Sequence, residues 1–170
     1  MNKSTKYECA ANDANALGAV VPMQLAEYTA NALAKLSKVL GDDVCGYVAN
    51  RLHMNKAELY KALAAEQIDG VALAMYNIEK RGQSVIIGDQ TGIGKGRQAA
   101  AMIRYGLLAG YLPVFFTDRY TLFSDMYRDC KALGIKDARP LVVNSGVSVV
   151  DFDHVVEEKE IDSPDEIWSP

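Results

Sequence analysis

Between Gly88 and Gln98 the chain reads Gly-Asp-Gln-Thr-Gly-Ile-Gly-Lys-Gly-Arg-Gln. Gly92 and Gly94 open backbone angles closed to residues with a side chain, so successive N–H groups can turn inward around a phosphate. Lys95 follows where a helical pattern begins. There an ammonium group reaches the β- and γ-phosphates of a nucleotide, and the positive end of the helix adds to its pull. The expected phosphate-binding set is Asp89, Gln90, Thr91, Gly92, Ile93, Gly94, Lys95, Gly96 and Arg97, with Lys95 also the expected catalytic cation. Two positions depart from the strict phosphate-loop pattern: Asp89 stands where it opens with glycine, and Gly96 stands where a Ser or Thr hydroxyl holds magnesium. Without that hydroxyl, Mg2+ has to rely on water and on a carboxylate from elsewhere. No metal ligand is assigned from the sequence.

The elements around this loop are legible from period. Val85-Ile86-Ile87, bounded by Gly82 and Gly88, is a short continuous apolar run of the kind found in strands buried on both faces. Helical spacing returns from Arg97 to Leu108, and a second apolar run, Leu112 to Phe116, follows Gly110. A helix from Arg119 to Leu133, stopped by Gly134, leads to a third strand near Leu141 to Val143. Strand and helix alternating in this way predict an α/β fold with a parallel sheet flanked by helices. Upstream the pattern is helical. A helix opened by Pro22 runs to Leu40, a second is capped by Asp42, a third by Asn55, and a fourth spans roughly Asp69 to Lys80. The first fifteen residues carry no period and read as a polar lead-in. The expected organisation is a helical segment over 1–65, a partial nucleotide-binding lobe over 66–150, and an acidic tail or the start of an insertion over 151–170.

Composition sets bounds on this reading. The chain has 170 residues, 49% hydrophobic and 24% charged, which fits an ordinary globular domain. A net charge of −4 supplies no global positive field, so any nucleic-acid contact has to be a local patch. The longest apolar runs fall far short of the roughly 20 residues needed to cross a bilayer, and no secretory leader follows Lys3 and Lys6, so a cytoplasmic location is expected. Cys9, Cys45 and Cys130 are too widely spaced for a zinc site and odd in number, which points to reduced thiols.

The Gly-Lys-Gly-Arg run from Gly94 to Arg97 resembles the first motif of the strawberry notch family, a branch of superfamily 2 helicase-like ATPases that includes phage and mobile-element proteins. In that branch glycine after the lysine is part of the pattern. Ala65-Glu66-Gln67 resembles the upstream glutamine motif that reads adenine, and Pro113 to Gly134 resembles the strand and helix after the first motif. The likeness covers roughly residues 60 to 135. It implies a RecA-like lobe that binds ATP with Mg2+, with Gln67 on the adenine, Thr117 and Arg119 on the nucleic-acid side, and DNA as partner of the full-length protein. It also implies a second lobe, or a partner protein, missing from this chain. Turnover by this chain alone is then expected to be slow or absent.

Other readings stay open at this point. Thr117 or Asp118 can simply cap the next helix, and Arg97 can be a plain helical residue. Asp165-Glu166 follows too polar a stretch for a buried strand, Asp151 and Asp153 are better placed after Val149-Val150, and His53 and His154 read as surface or structural groups. A dinucleotide-binding oxidoreductase would use Gly92 and Gly94 but would need glycine where Arg97 stands. A non-enzymatic interaction or packaging module with a vestigial loop is the remaining alternative.

Overall fold

Pro22, with φ at −55°, sets the chain on course for the first long helix, and the pattern of Leu33 and Leu36 decides which side of it is buried. The computed structural model describes residues 3–88 and 92–136, together with the backbone of 149–150 and 155–156. In chain order the elements are β1 (Ser4–Lys6), β2 (Val20–Pro22), α1 (Met23–Val39), α2 (Val44–Arg51), α3 (Lys56–Ala62), α4 (Ala65–Arg81), α5 (Lys95–Leu108), α6 (Thr121–Ala132), β3 (Val149–Val150) and β4 (Val155–Val156). β1 pairs antiparallel with β2, Thr5 opposite Val21, and β3 with β4, Val149 opposite Val156.

The helix boundaries follow from their caps. Asp43, not Asp42, caps α2 by accepting the Gly46 N–H at 2.7 Å, while Asp42 takes a left-handed backbone with φ of 61°. Asn55 caps α3 in a reciprocal box with Glu58, each side chain accepting the other's backbone N–H at 2.9 Å. The fourth helix begins four residues before the expected Asp69. Gln67 Oε1 accepts the Ala64 N–H at 2.9 Å, which closes a first turn that hydrophobic spacing alone does not reveal. Gly82, in the left-handed region, ends the same helix.

Helix α4 is the centre of the molecule. Ala65, Ile68, Val71, Ala72 and Met75 are buried, and they form one core with Val44, Val48 and Leu52, with Leu59 and Leu63, with Ala100 and Ala101 of α5, and with Met126, Cys130 and Leu133. That core runs across residue 65 without a break. Arg104 of α5 fastens two helix ends to it, donating to the carbonyls of Leu52 and Leu133 at 2.7 Å each. Glu79 of α4 accepts from Arg51, Tyr47 and Tyr105, joining α2 and α5 at the other end. All three cysteines are free, with Cys45 and Cys130 buried.

The polar lead-in is ordered by two carboxylates near the start of α4. Asp69, fully buried, accepts the N–H groups of Ala10 and Ala11 at 2.9 and 2.8 Å and the Tyr7 hydroxyl at 3.2 Å. Glu66 accepts the N–H groups of Leu17, Gly18 and Ala19 at 2.9 to 3.1 Å. Their titrations move in opposite directions. Burial pushes the Asp69 carboxyl up to about 6 in spite of its donors. For Glu66 burial acts the same way, but the backbone donors outweigh it and hold the carboxyl below its usual range.

The parallel sheet expected from Val85 to Ile87 and Leu112 to Phe116 is not formed among the described residues. Segments 82–88 and 111–117 carry no ladder, yet they keep a strand's two-residue alternation. Val85, Ile87, Pro113 and Phe115 are half-buried, whereas Ile86 is 95% exposed, Leu112 87% and Phe116 88%. Phe115 meets Phe123 of α6 edge to face, with ring centres 6.2 Å apart. The half-buried face of 111–117 lies on the helices, with Phe115 against the core and Pro113 beside Gly106 of α5. The expected third strand at 141–143 lies outside the described residues.

Candidate functional site

The phosphate-loop pattern is built at the junction of α4 and α5. Gly94 caps α5 with φ of 79° and Gly92 has φ of 99°, the left-handed values for which glycine is suited. A Cβ added at Gly94 would lie 2.5 Å from Gln67 Nε2, so the turn and the glutamine need each other's shape. Gln67 Nε2 donates to the carbonyl of Ile93 at 2.7 Å and, more weakly, to that of Gly94 at 3.4 Å. A trans peptide places N–H opposite C=O. Turning those two carbonyls towards Gln67 therefore aims the N–H groups of Gly94 and Lys95 away from it. Lys95 opens α5, whose first-turn N–H groups supply the positive end.

Of the residues expected at the site, Gly92, Ile93, Gly94, Lys95, Gly96 and Arg97 come together at this turn, and Gln67 joins them from α4. Asp89, Gln90 and Thr91 lie outside the described residues. Both ends of the Gln67 carboxamide are engaged within the chain, Oε1 by Ala64 and Nε2 by the loop. Arg97 is likewise engaged: its Nε donates to Asp129 Oδ1 at 2.9 Å and its Nη1 to the Ala62 carbonyl at 3.1 Å. Thr117 Oγ1 accepts the Arg119 N–H at 3.1 Å, closing a tight turn. Arg119 is exposed, and α6 begins two residues later at Thr121. His53 is exposed, and Asp151, Asp153, His154, Asp165 and Glu166 lie outside the described residues. Among the described residues no three His, Cys, Asp or Glu side chains gather into a metal cluster.

Sequence reasoning gave no role to Asp129. It sits on α6, 7% exposed, beside the first turn of α5. A Cβ added at Gly96 would run into its Oδ2, so the carboxylate fills the space that a Ser or Thr side chain takes in the strict pattern. Gly96 is thus matched to a partner 33 residues away in sequence. The one local trace of that partner is the glycine itself. For the magnesium that such loops employ, the donor chemistry fits: a hard carboxylate oxygen faces the position where the hydroxyl is missing.

No helix among the described residues is long and apolar enough to cross a membrane. Neither a curated protein nor a solved structure gives a match to the chain. A family model does match, over residues 31–161, a span that holds α2 to α6 and the turn before Lys95. With its left-handed glycines, its lysine at a helix start and most of its length inside that match, the chain belongs to the family of P-loop containing NTP hydrolases described as pore-1.

Proposed function

We propose that this chain is the ATP-binding part of a helicase-like motor, which couples nucleotide hydrolysis to remodelling of DNA when joined to a second lobe. The observation that carries the reading is the turn at Gly94, whose carbonyl side is held by Gln67 and whose N–H side, together with Lys95, opens onto the N-terminus of α5. In this reading Asp89 to Arg97 surround the phosphates, Lys95 neutralises the β- and γ-oxygens, and Mg2+ accompanies the nucleotide. Gln67 acts through the loop it holds, since its carboxamide is already engaged at both ends. The exposed Arg119, presented by the Thr117 turn, serves as a phosphate contact on the DNA side.

The finer architecture belongs to the same proposal. Segments 82–88 and 111–117 are two strands of a RecA-like parallel sheet that the rest of the motor completes. A complete motor needs an acid pair and an arginine finger from a second lobe, so in this reading hydrolysis by this chain alone is slow or absent. Arg97, bonded to Asp129 and Ala62, stands where the dinucleotide alternative requires a third glycine.

Calorimetry of ATP with Mg2+ tests the core of the reading. The native chain gives a saturable heat and Lys95→Ala loses at least about tenfold in affinity, or 1.4 kcal/mol. Equal heats for the two chains overturn it. A second titration, with duplex and single-stranded DNA at rising salt, tests the DNA face: affinity falls with salt, and Arg119→Ala flattens the slope.

A further inference from the structure

The glycine after Lys95 removes the hydroxyl that phosphate loops commonly use to hold a divalent cation, and the structure puts a different oxygen in its place. Asp129 reaches across from α6 so that its Oδ2 lies against the Gly96 Cα, in the volume where a side chain at position 96 would begin. The other oxygen is anchored: Oδ1 takes Arg97 Nε at 2.9 Å, with Arg128 Nε further off at 3.7 Å. Among the described residues the hydrogen bond and ion pairs to this carboxylate fall on Oδ1, and its side chain is 11% exposed. A carboxylate held by one oxygen, with the other aimed at the first turn of the loop's helix, is the form a hard-cation ligand takes.

We propose that Asp129 supplies through Oδ2 the protein oxygen for the divalent cation of the bound nucleotide, replacing the hydroxyl absent at Gly96. Arg97 orients it, as an outer partner orients a metal-binding carboxylate. The inference rests on the nucleotide reading above, and it gives the Gly-Lys-Gly-Arg run a single logic. Glycine makes room for the carboxylate, and the arginine three residues after Gly94 fixes it.

The test is a set of ATP titrations of the whole chain in Mg2+ and in EDTA, followed by calorimetry and, with Mn2+ in place of Mg2+, by electron paramagnetic resonance. The native chain binds ATP about tenfold more tightly with metal than without. Asp129→Asn keeps the affinity measured in EDTA, loses most of the metal-dependent gain, and alters the Mn2+ spectrum of the nucleotide complex. The double variant Gly96→Ser, Asp129→Ala regains the gain, because the hydroxyl now fills the emptied space. Circular dichroism checks folding, and if Asp129→Asn is unfolded, the double variant decides alone. A full metal-dependent gain in folded Asp129→Asn, or its absence in a folded double variant, overturns the assignment of Asp129 while leaving ATP binding intact. A native chain that binds ATP in neither buffer overturns the nucleotide reading and this inference together.

Discussion

Gln67 Nε2 lies 2.7 Å from the carbonyl of Ile93, and through that bond the first turn of α4 holds the turn from which Lys95 emerges. The helix and the loop are 26 residues apart in sequence and share one side chain. Both of its polar ends are used, so no conservative replacement serves it equally well.

Gln67→Leu removes the tether and leaves the Ile93 carbonyl and the Ala64 N–H without their partner. A cost of about 1–3 kcal/mol in stability is expected, together with a loss of about tenfold in ATP affinity. Gln67→Glu keeps an acceptor for Ala64 but sets a carboxylate oxygen against the Ile93 carbonyl, so its affinity falls below that of Gln67→Leu. Urea melts and ATP titrations at fixed Mg2+ check both; native affinity in Gln67→Leu would show the tether to be idle.

Asp69 makes a pH prediction with a definite sign. Its folded value of about 6 stands above the ordinary 3.8, so between these limits the folded chain binds the extra proton and stability falls as pH rises. Two units correspond to about 3 kcal/mol, all of it spent by pH 7. Glu66 acts the other way, losing stability as pH falls below its ordinary 4.5. The difference between native chain and Asp69→Asn isolates the first effect: measured by urea melts from pH 4 to 7, it shifts in favour of the variant. A shift in favour of the native chain would refute it.

Arg104 gathers the carbonyls that end α2 and α6, and its two 2.7 Å bonds diverge from one planar group. Arg104→Ala is expected to lower stability by about 2–4 kcal/mol. Lysine, a single point of charge, reaches one carbonyl at a time and restores half of that or less. Thermal and urea unfolding of the two variants gives the ranking.

Ile86 and Phe116 test whether segments 82–88 and 111–117 stand unpaired in this chain. At 95% and 88% exposed, each tolerates replacement by serine within about 0.5 kcal/mol. Within a completed sheet the same changes would each cost about 2 kcal/mol or more. Unfolding measurements on the two variants of this chain separate the two states.

Much of the helical frame can be read directly from the residues. The spacing from Ala26 to Leu40 marks α1, the Asn55 box marks α3, and Gly110 and Gly134 mark where α5 and α6 stop. What local pattern misses is contact between distant residues. The early start of α4 depends on the Gln67 side chain, the hairpin of β1 and β2 is three residues per strand, and the ordering of the lead-in depends on Glu66 and Asp69. The apolar runs at 85–87 and 112–116 have a strand's composition, but composition carries no information about a neighbouring strand. At the site, the loop glycines and Lys95 announce themselves, whereas Asp129 is one acid among several on an amphipathic helix until its distance to Gly96 is known.

The two carboxylates near the start of α4 also set a lower limit on how far the molecule can be trimmed. A chain beginning at Val21 would strip six donors from Glu66 and Asp69 and strand their charges against apolar neighbours, one residue to either side of Gln67 and Ile68. Residues that look dispensable at the front of the polypeptide thus help keep the phosphate turn in shape from behind.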